Sequence, residues 1–528
     1  MQLRQRIVSS ARSILSEDVK NYILNHVPDK MLYKFASIYP VYVPDIKFEN
    51  NLDVLLLNLP QFCVPLMPNG LGYVNNILKT VGVKFQTVDV NIIMYHRHHK
   101  DGLPKDDMWE AYNSGKWSKL EGIANYLKEI AEIVDKISKA NPKIVGFSVS
   151  ETSRLFTKTV ARLLKQSCPD IILIAGGYDC VYPEVAKAVY LDLFDYIVIG
   201  ESELTLPPLI KSLMNNEMPV NMKGIMSKHD TQPFIEGDRP QDLDRIEFPK
   251  YEWIDFSLYR NCWGSNVVPI ISNRGCIWSK CSFCCECMPF RKRSPELVVA
   301  EMKWLYEQGA RQYRFNESDL LGDVQTLHEL ANLLKKENMD IKFQGELRID
   351  RRTTREIFND LKLAGCERLA FGVDGWSSHL LKLQNKGYRM EDVENNLRVA
   401  TECGIKTDVN MVIGVPGETE QDIDECIDNL IRLKPYISSV QNLNILLLKV
   451  GSQYFRTPEK YGIKFRDDKG TLYNKYPHLI PPELWYSELP YIDLDVRVNR
   501  LNRIYSSLVK AGVKVGQYAE WEVKRDNS

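Results

Sequence analysis

The sequence predicts an α/β protein made of two successive parallel-sheet units, and three patterns carry that expectation. Short apolar runs recur from Leu52 onward, helical stretches separate them, and a polar, proline-punctuated stretch divides one such series from a second. At 528 residues the chain is long enough for about three domains. Its 44% hydrophobic and 26% charged residues are ordinary for a globular protein and exclude wholesale disorder. Lys and Arg number 68 against 69 Asp and Glu, so the net charge of −1 offers nothing to a nucleic-acid backbone, and no nucleic-acid partner is expected.

Residues 1–49 alternate charged and apolar positions at helical spacing and read as a helical lead-in. This stretch is basic and amphipathic but lacks the continuous apolar core of a secretory signal. No run approaches the roughly 18 apolar residues of a membrane span, so a cytoplasmic chain without a span is expected. Residues 50–215 carry the runs DVLLLNL, VKFQTVDV, KIVGFSVS, DIILIAGG and FDYIVIG, apolar throughout as strands buried on both faces must be. The loops that follow them, PQFCVPLMPNGLGY, SETSR, GGYD and GESE, are rich in Gly, Ser, Pro or a carboxylate. An open parallel sheet binds its ligands at that edge.

Residues 216–264 read as a polar connector with one hairpin, and a domain boundary is placed there. Over 265–450 six strand patterns alternate with five helical ones, which predicts a partial barrel with its active face at the strand C-termini. Residues 451–528, with aromatic Trp485, Tyr486 and Tyr491, read as an irregular extension at the barrel mouth.

Five of the 12 cysteines (Cys276, Cys281, Cys284, Cys285 and Cys287) fall in one short window directly after the first barrel strand. Uniform scatter would put roughly 0.3 there, and in a cytoplasmic chain such a cluster reads as metal or iron–sulfur ligation before disulfides. Loop-held thiolates such as Cys276, Cys281 and Cys284 can each take one iron of a cubane, and three ligands leave the fourth iron open for a substrate or cofactor. Cys281, Cys284 and Cys287, each three apart, form a competing trio. Zinc would call for a second, separate knuckle or for histidine, and the nearest histidines, His229 and His328, are far away in sequence.

In ISNRGCIWSKCSFCCECMPF, and over about residues 265–450, the chain resembles the radical S-adenosylmethionine (SAM) enzymes. Their usual motif has three residues between the first two cysteines, where this chain has four. The resemblance implies Cys276, Cys281 and Cys284 as ligands of a 4Fe-4S cluster, with Phe283 as the family's aromatic before the last ligand. FQGELRID, taken at the fourth strand, is similar to the family's SAM-binding strand, so that Glu346 and Arg348 would meet the ribose and the methionyl carboxylate. LAFGVDGWSSHLLKLQNKGY resembles the fifth-strand segment, with Asp374 where glutamate is common. VNMVIGVPGET resembles the sixth-strand element whose backbone, here around Ile413, Gly414 and Pro416, contacts adenine; Glu317 in QYRFNES joins the cofactor-binding set.

A Rossmann-like domain ahead of such a barrel is the layout of cobalamin-binding radical SAM enzymes, and residues 50–215 resemble their cobalamin-binding domain. The resemblance implies cobalamin contacts from Pro60, Gly72, Ser148, Ser150, Gly176, Gly177, Gly200 and Glu201. No histidine has Asp two positions earlier, so the Asp-x-His-x-x-Gly lower ligand is missing; His96, His98 and His99, after the second strand, are offered as substitutes but read first as a solvated loop cluster. The fold thus implied is an N-terminal Rossmann-like cobalamin-binding domain, a partial (β/α)6 TIM-like radical SAM barrel and an irregular C-terminal extension.

The activity implied is methylation of an unactivated carbon in a peptide or natural-product-type small molecule, through a 5′-deoxyadenosyl radical and methylcobalamin. A non-methylating rearrangement, cyclisation or coupling is an alternative, as is a cobalamin- or metal-binding sensor with a structural cluster. A flavodoxin- or ferredoxin-type electron donor is the implied partner.

Overall fold

Two sheets organise the chain, as seen in a computed structural model that describes residues 43–100, 104, 107–259, 267–286, 288–320 and 322–516. Most of the expected helical lead-in, Cys262 and Cys287 lie outside these residues. The contacts separate into two units, one running to Pro240 and taking in Ile246–Val268, the other comprising Gln241–Arg245 and the chain from Pro269.

The first unit is built on β1 (Val54–Asn58), β2 (Phe85–Asp89), β3 (Ile144–Ser148), β4 (Ile172–Gly176), β5 (Tyr196–Val198) and β6 (Ile225–Ser227), in the order β2-β1-β3-β4-β5-β6. The first five strands are parallel and β6 runs antiparallel to β5. Leu55, Leu57, Val145, Phe147, Leu173 and Ala175 are wholly buried, as the continuous apolar runs require. The connecting helices are α1 (Asn69–Val81), α2 (Val90–His98), α3 (Leu127–Ala140), α4 (Arg154–Ser167), α5 (Pro183–Tyr190) and α6 (Leu206–Met214). Strand order reverses between β1 and β3, and a doubly wound sheet opens its ligand crevice at such a switch point.

The stretch read as a connector folds largely onto this unit. It supplies β6, and Asn76 Nδ2 donates to the carbonyls of Glu247 and Phe248 at 3.1 and 2.9 Å. Tyr251 and Tyr259 are buried, the latter donating to Asp89 at 2.8 Å.

In the second unit β7 (Val268–Ile270) is followed by a small hairpin of β8 (Asn273–Arg274) and β9 (Arg291–Lys292). Then come β10 (Gln312–Phe315), β11 (Lys342–Leu347), β12 (Cys366–Asp374), β13 (Lys406–Ile413) and β14 (Ser439–Ile445). The six-stranded sheet has the sequential order β14-β13-β12-β11-β10-β7. Helices α7 (Pro295–Glu307), α8 (Val324–Glu337), α9 (Arg355–Leu363), α10 (Ser378–Leu383), α11 (Met390–Glu402) and α12 (Glu420–Arg432) connect these strands.

Two expectations are corrected here. FQGEL occupies β11, the third strand of the sheet; LAFGVD is on β12, the fourth, and VNMVI on β13, the fifth. Each comes one place earlier than expected, because the cysteine hairpin stays outside a sheet whose six strands pair in series. The C-terminal extension is also less irregular than expected: α13 (Leu494–Lys510) packs on β14 and α12 and supplies the sixth strand with a helix. Its start is set by Asp493, whose carboxylate accepts from Val496 N at 3.1 Å. Among the described residues no helix is long and apolar enough to cross a membrane.

Candidate active site

The cysteine loop leaves the strand C-terminal edge through Gly275, at φ +77, where an added Cβ would lie 2.4 Å from Met288 O and 2.6 Å from Pro289 O. Only glycine lets the two limbs of the loop pass this closely. The returning limb is tied down by Arg293, whose Nη1 reaches Ile271 O at 2.8 Å and Glu301 Oε2 at 2.5 Å, with both side chains buried. The tip is held against residues 384–386. Ser282 N donates to Gln384 O at 3.1 Å, Trp278 Nε1 to Asn385 O at 2.7 Å, and Asn385 Nδ2 to Lys280 O at 2.9 Å.

Cys276, Cys281, Cys284 and Cys285 stand as thiols outside any disulfide, each partly buried. Burial pushes the Cys281 thiol up, the cations of Lys386 and Arg348 oppose that rise, and Cys276 adds to it. Burial carries Cys284 up to about 12, with Cys281 and Cys285 as neighbouring contributors. The loop therefore sets Cys281 within electrostatic range of both Cys276 and Cys284. Bringing thiols together costs free energy unless cations, irons above all, stabilise the thiolates, so the donor set fits an iron–sulfur cluster.

A buried cation that the sequence does not single out stands beside the loop. Lys386 is buried, its Nζ lies 2.6 Å from Asp374 Oδ2, and it stands 5.6 Å from the Phe283 ring. Its ammonium is held well above the usual lysine range by Asp374, against the cost of burial. Arg348 is stacked 4.4 Å over Trp278 and 4.9 Å over Tyr388 and donates to the Lys386 carbonyl. Glu346 is half-buried, its carboxyl raised by burial although Arg314 lies 3.8 Å away. Glu317, at the C-terminal edge of β10, accepts from Ser272 N and Oγ through Oε1 while its buried Oε2 has no partner. Burial pushes this carboxyl up to about 8.

At the end of β13, the Gly414 N–H is shared between both oxygens of Glu418, each at 2.9 Å, and Arg500 pairs with Glu418 at 3.0 Å. Gly414 has φ +80, and a Cβ there would lie 2.3 Å from Arg497 Cγ. Ile413 is buried and Pro416 follows in the same turn. The structure thus brings Cys281, Cys284, Phe283, Arg348 and Asp374 together around Lys386, with Cys276 next to Cys281. It places Glu317, Glu346 and Ile413–Pro416 on the same strand-end face.

In the first unit Pro60, Ser148, Ser150, Gly176, Gly177, Gly200 and Glu201 all lie at the C-terminal edge of the sheet, with Ser148 and Gly176 paired in register. Thr152 Oγ1 donates to Gln61 O at 2.8 Å, joining the two loops at the switch point. Gly177, at φ +110, nests on Val149 so closely that a Cβ would lie 2.8 Å from its N and O. Asp179 stays buried between Arg154 (2.7 and 2.8 Å) and the Tyr190 hydroxyl, which fixes that loop. Gly200, at φ +74, meets nothing within 4 Å. Glycine backbone facing open space suits a large planar ligand at this edge.

Two expectations fail in this unit. Gly72 is inside α1, where a Cβ would lie 2.7 Å from Pro249 Cβ; it is a packing glycine. His96, His98 and His99 close or follow α2 instead of sitting in a solvated loop. His96 Nε2 meets Leu258 O at 2.7 Å, and His99 bridges Tyr95 O (2.7 Å) and Asp107 Oδ2 (3.0 Å). A helix that starts at the end of β2 carries its own C-terminus away from the ligand edge, so none of the three stands there.

A flavodoxin-like sheet with a glycine-lined edge, and a six-stranded barrel sheet with a thiol loop at its strand ends, define a two-cofactor α/β enzyme. Two family profiles match the chain: the radical SAM superfamily over residues 270–430 and the B12 binding domain over residues 105–210. The chain belongs to the cobalamin-binding radical SAM enzymes, and its cofactors are a 4Fe-4S cluster, SAM and cobalamin.

Over 318 residues the chain is 24% identical to an uncharacterized methyltransferase of Pyrococcus horikoshii, covering 58% of this chain and 68% of that protein. It is likewise 24% identical over 314 residues to an anaerobic magnesium-protoporphyrin IX monomethyl ester cyclase of Synechocystis sp., covering 58% of this chain and 62% of that one. Among solved structures, the cobalamin-dependent SAM radical enzyme OxsB with aqua-cobalamin and SAM bound aligns with TM-score 0.65 at 16% identity, over 86% of this chain and 66% of that chain. The radical SAM methyltransferase TsrM from Kitasatospora setae aligns with TM-score 0.58 at 18% identity, over 79% of each chain. At such identities the structural likeness is one of fold.

Proposed function

We propose that the protein methylates an unactivated carbon of a peptide or natural-product-type substrate. The observation that carries this reading is the pairing, in one chain, of a thiol loop on a barrel edge with a glycine-lined switch-point edge on a separate sheet, an edge without histidine among the described residues. The methyltransferases among its relatives support it. When bound, the cluster supplies the electron that cleaves SAM and the corrinoid supplies the methyl group.

The chain's own residues bind and orient. Cys276, Cys281 and Cys284 hold the cluster, with Phe283 covering it and Lys386 balancing its charge. The Gly414 turn presents backbone to adenine, Glu346 and Asp374 face the ribose side, and Arg348 closes the wall beside the cysteine loop. Glu317 Oε2 accepts from the methionyl ammonium. In the first unit Pro60, Ser148, Ser150, Gly176, Gly177, Gly200 and Glu201 cradle the corrinoid.

The test is an anaerobic assay with cobalamin and candidate substrates, read by mass. A product heavier by about 14 Da, the mass of a CH2 group, together with one S-adenosylhomocysteine per methyl transferred, is expected. SAM cleavage with an unchanged or rearranged product, and no cobalamin-dependent S-adenosylhomocysteine, would place the reaction among cyclisations or couplings.

The role of Glu317 sets a pH dependence. With its carboxyl at about 8, Glu317 holds a proton at neutral pH and must release it before it can accept an ammonium. SAM affinity is therefore expected to rise with pH by up to about tenfold per unit between about 6 and 8. It should fall again once the α-amino group itself loses its proton. Isothermal titration in buffers of different ionisation enthalpy should detect the released proton, and Glu317→Gln should flatten the acid limb.

A further inference from the structure

The helix α13 reaches the Gly414–Glu418 turn with two arginines that grip it from both ends. Arg497 lies against the glycine: its stem fills the space that a side chain at Gly414 would need, and its Nε donates to Gly414 O at 3.4 Å. Arg500 lies three residues on, on the same face of the helix. Its Nη1 donates to Glu418 O at 3.3 Å and to Glu418 Oε1 at 3.0 Å. Glu418 in turn takes the Gly414 N–H on both of its oxygens. The carbonyl of Gly414 is thus tied to α13 directly through Arg497, and its amide indirectly through Glu418 and Arg500.

Packing alone does not call for these groups. Arg497 is wholly buried, rests 3.6 Å over the Trp485 ring, and has neither an ion pair nor a partner for Nη1 among the described residues. Burial pulls its guanidinium down to about 9, although the charges of Asp493 and Glu418 oppose the fall. Both carboxylates are engaged elsewhere, Asp493 with Val496 N and Arg466, Glu418 with Arg500. A cation buried with an unmet donor costs free energy, and an apolar side chain of similar shape would stabilise the contact as well or better. The helix is already held down by its apolar side, where Leu501, Ile504 and Leu508 are buried. What the arginines add is direction. Gly414 sits at φ +80, and glycine has the widest backbone freedom of any residue, so an untethered turn would sample several shapes.

We propose that Arg497 and Arg500 are positioning residues for SAM: from the C-terminal extension they hold the Gly414–Glu418 turn in the one shape that receives the adenine. This assignment rests on the reading of that turn as the adenine contact. It gives α13 a part in cofactor binding beyond completing the fold around the sixth strand.

The test uses the anaerobically reconstituted full chain with SAM as the probe. SAM affinity is read from the change SAM makes in the low-temperature paramagnetic signal of the reduced cluster, and KM and kcat from dithionite-driven cleavage. Arg497→Met keeps the stem and removes the guanidinium, Arg500→Gln removes the hold on Glu418, and Leu501→Ala loosens the same helix without touching either arginine. Both arginine variants are expected to bind SAM about tenfold more weakly, as losing a hydrogen bond from a charged group implies, with KM rising to match and kcat within about twofold of wild type. Arg497→Met should melt no lower than the wild type, and Leu501→Ala should melt lower with SAM affinity unchanged. Gly414→Ala, whose methyl would run into the Arg497 stem, probes the turn itself and should weaken SAM at least as much. Weakened SAM in Gly414→Ala, with wild-type affinity in both arginine variants, would overturn the positioning role and leave the adenine reading standing. Equal weakening in Leu501→Ala would also overturn it, by making the arginines' effect one of general packing. Wild-type affinity in Gly414→Ala as well would remove the turn from the adenine site, and the role of the arginines with it.

Discussion

Replacing Cys276, Cys281 or Cys284 by alanine, one at a time, is expected to abolish the cluster and to lower SAM cleavage by at least about 10³-fold, equivalent to about 4 kcal/mol of barrier. These three thiols share one loop, held shut by Gly275 and by Arg293 paired with Glu301, and each lies within electrostatic range of the next. A cubane held by three thiolates has no protein ligand in reserve, so removing one leaves an iron to solvent and the assembly to dissolution. Cys285→Ala and Cys287→Ala should keep iron and sulfide at the wild-type ratio. Iron and sulfide analysis with low-temperature paramagnetic resonance of the reduced protein checks all five variants. A cluster that survives in Cys276→Ala but is lost in Cys287→Ala would assign the ligands to Cys281, Cys284 and Cys287 instead.

What the sequence made legible follows from the range of the forces involved. The barrel strands and helices were readable because their signals are local: VQTLHELANLLKKEN carries a helical repeat and a starting Asp323, and it folds as the helix Val324–Glu337. The cysteine loop was readable because five thiols in one window have no bland explanation. The helix Leu494–Lys510 was hidden behind an insertion punctuated by Pro458, Pro481, Pro482 and Pro490, whose irregularity obscured the 3.6-residue period that follows.

Lys386 was passed over because lysines are ordinarily solvated. Its burial depends on Asp374, which reaches it only because α10 folds the chain back on itself. The HRHHK run looked solvated for the same kind of reason. Tyr95, Trp109, Trp117 and Tyr126, none of them beyond thirty-odd residues away, pack into an aromatic cluster beside it, and Asp107 satisfies His99. Gly72 was misplaced because a glycine-rich PNGLGY string reads as loop, whereas the helix starts inside it at Asn69.

Gly177→Val is expected to separate the two cofactors functionally, with cobalamin affinity falling at least about 100-fold while iron content and dithionite-driven SAM cleavage persist. Gly177 sits at φ +110 and ψ −167, a region closed to side-chain-bearing residues and costing about 1–3 kcal/mol to force. Its Cβ would also lie 2.8 Å from both Val149 N and Val149 O, atoms of backbone that cannot swing aside. Val149 N already donates to Gly176 O at 2.7 Å, and Asp179 N donates to Val149 O at 3.1 Å. Relief therefore has to come from moving the Gly176–Asp179 turn off the sheet edge. That turn is one of the loops proposed to cradle the corrinoid, so its displacement should appear as lost cobalamin absorbance after gel filtration. The second unit has its own sheet and hydrogen-bonded loop anchors, so its cluster should be unaffected. Retained cobalamin in a folded Gly177→Val protein would remove this turn from the corrinoid site and shift the contacts to the loops after β1 and β3.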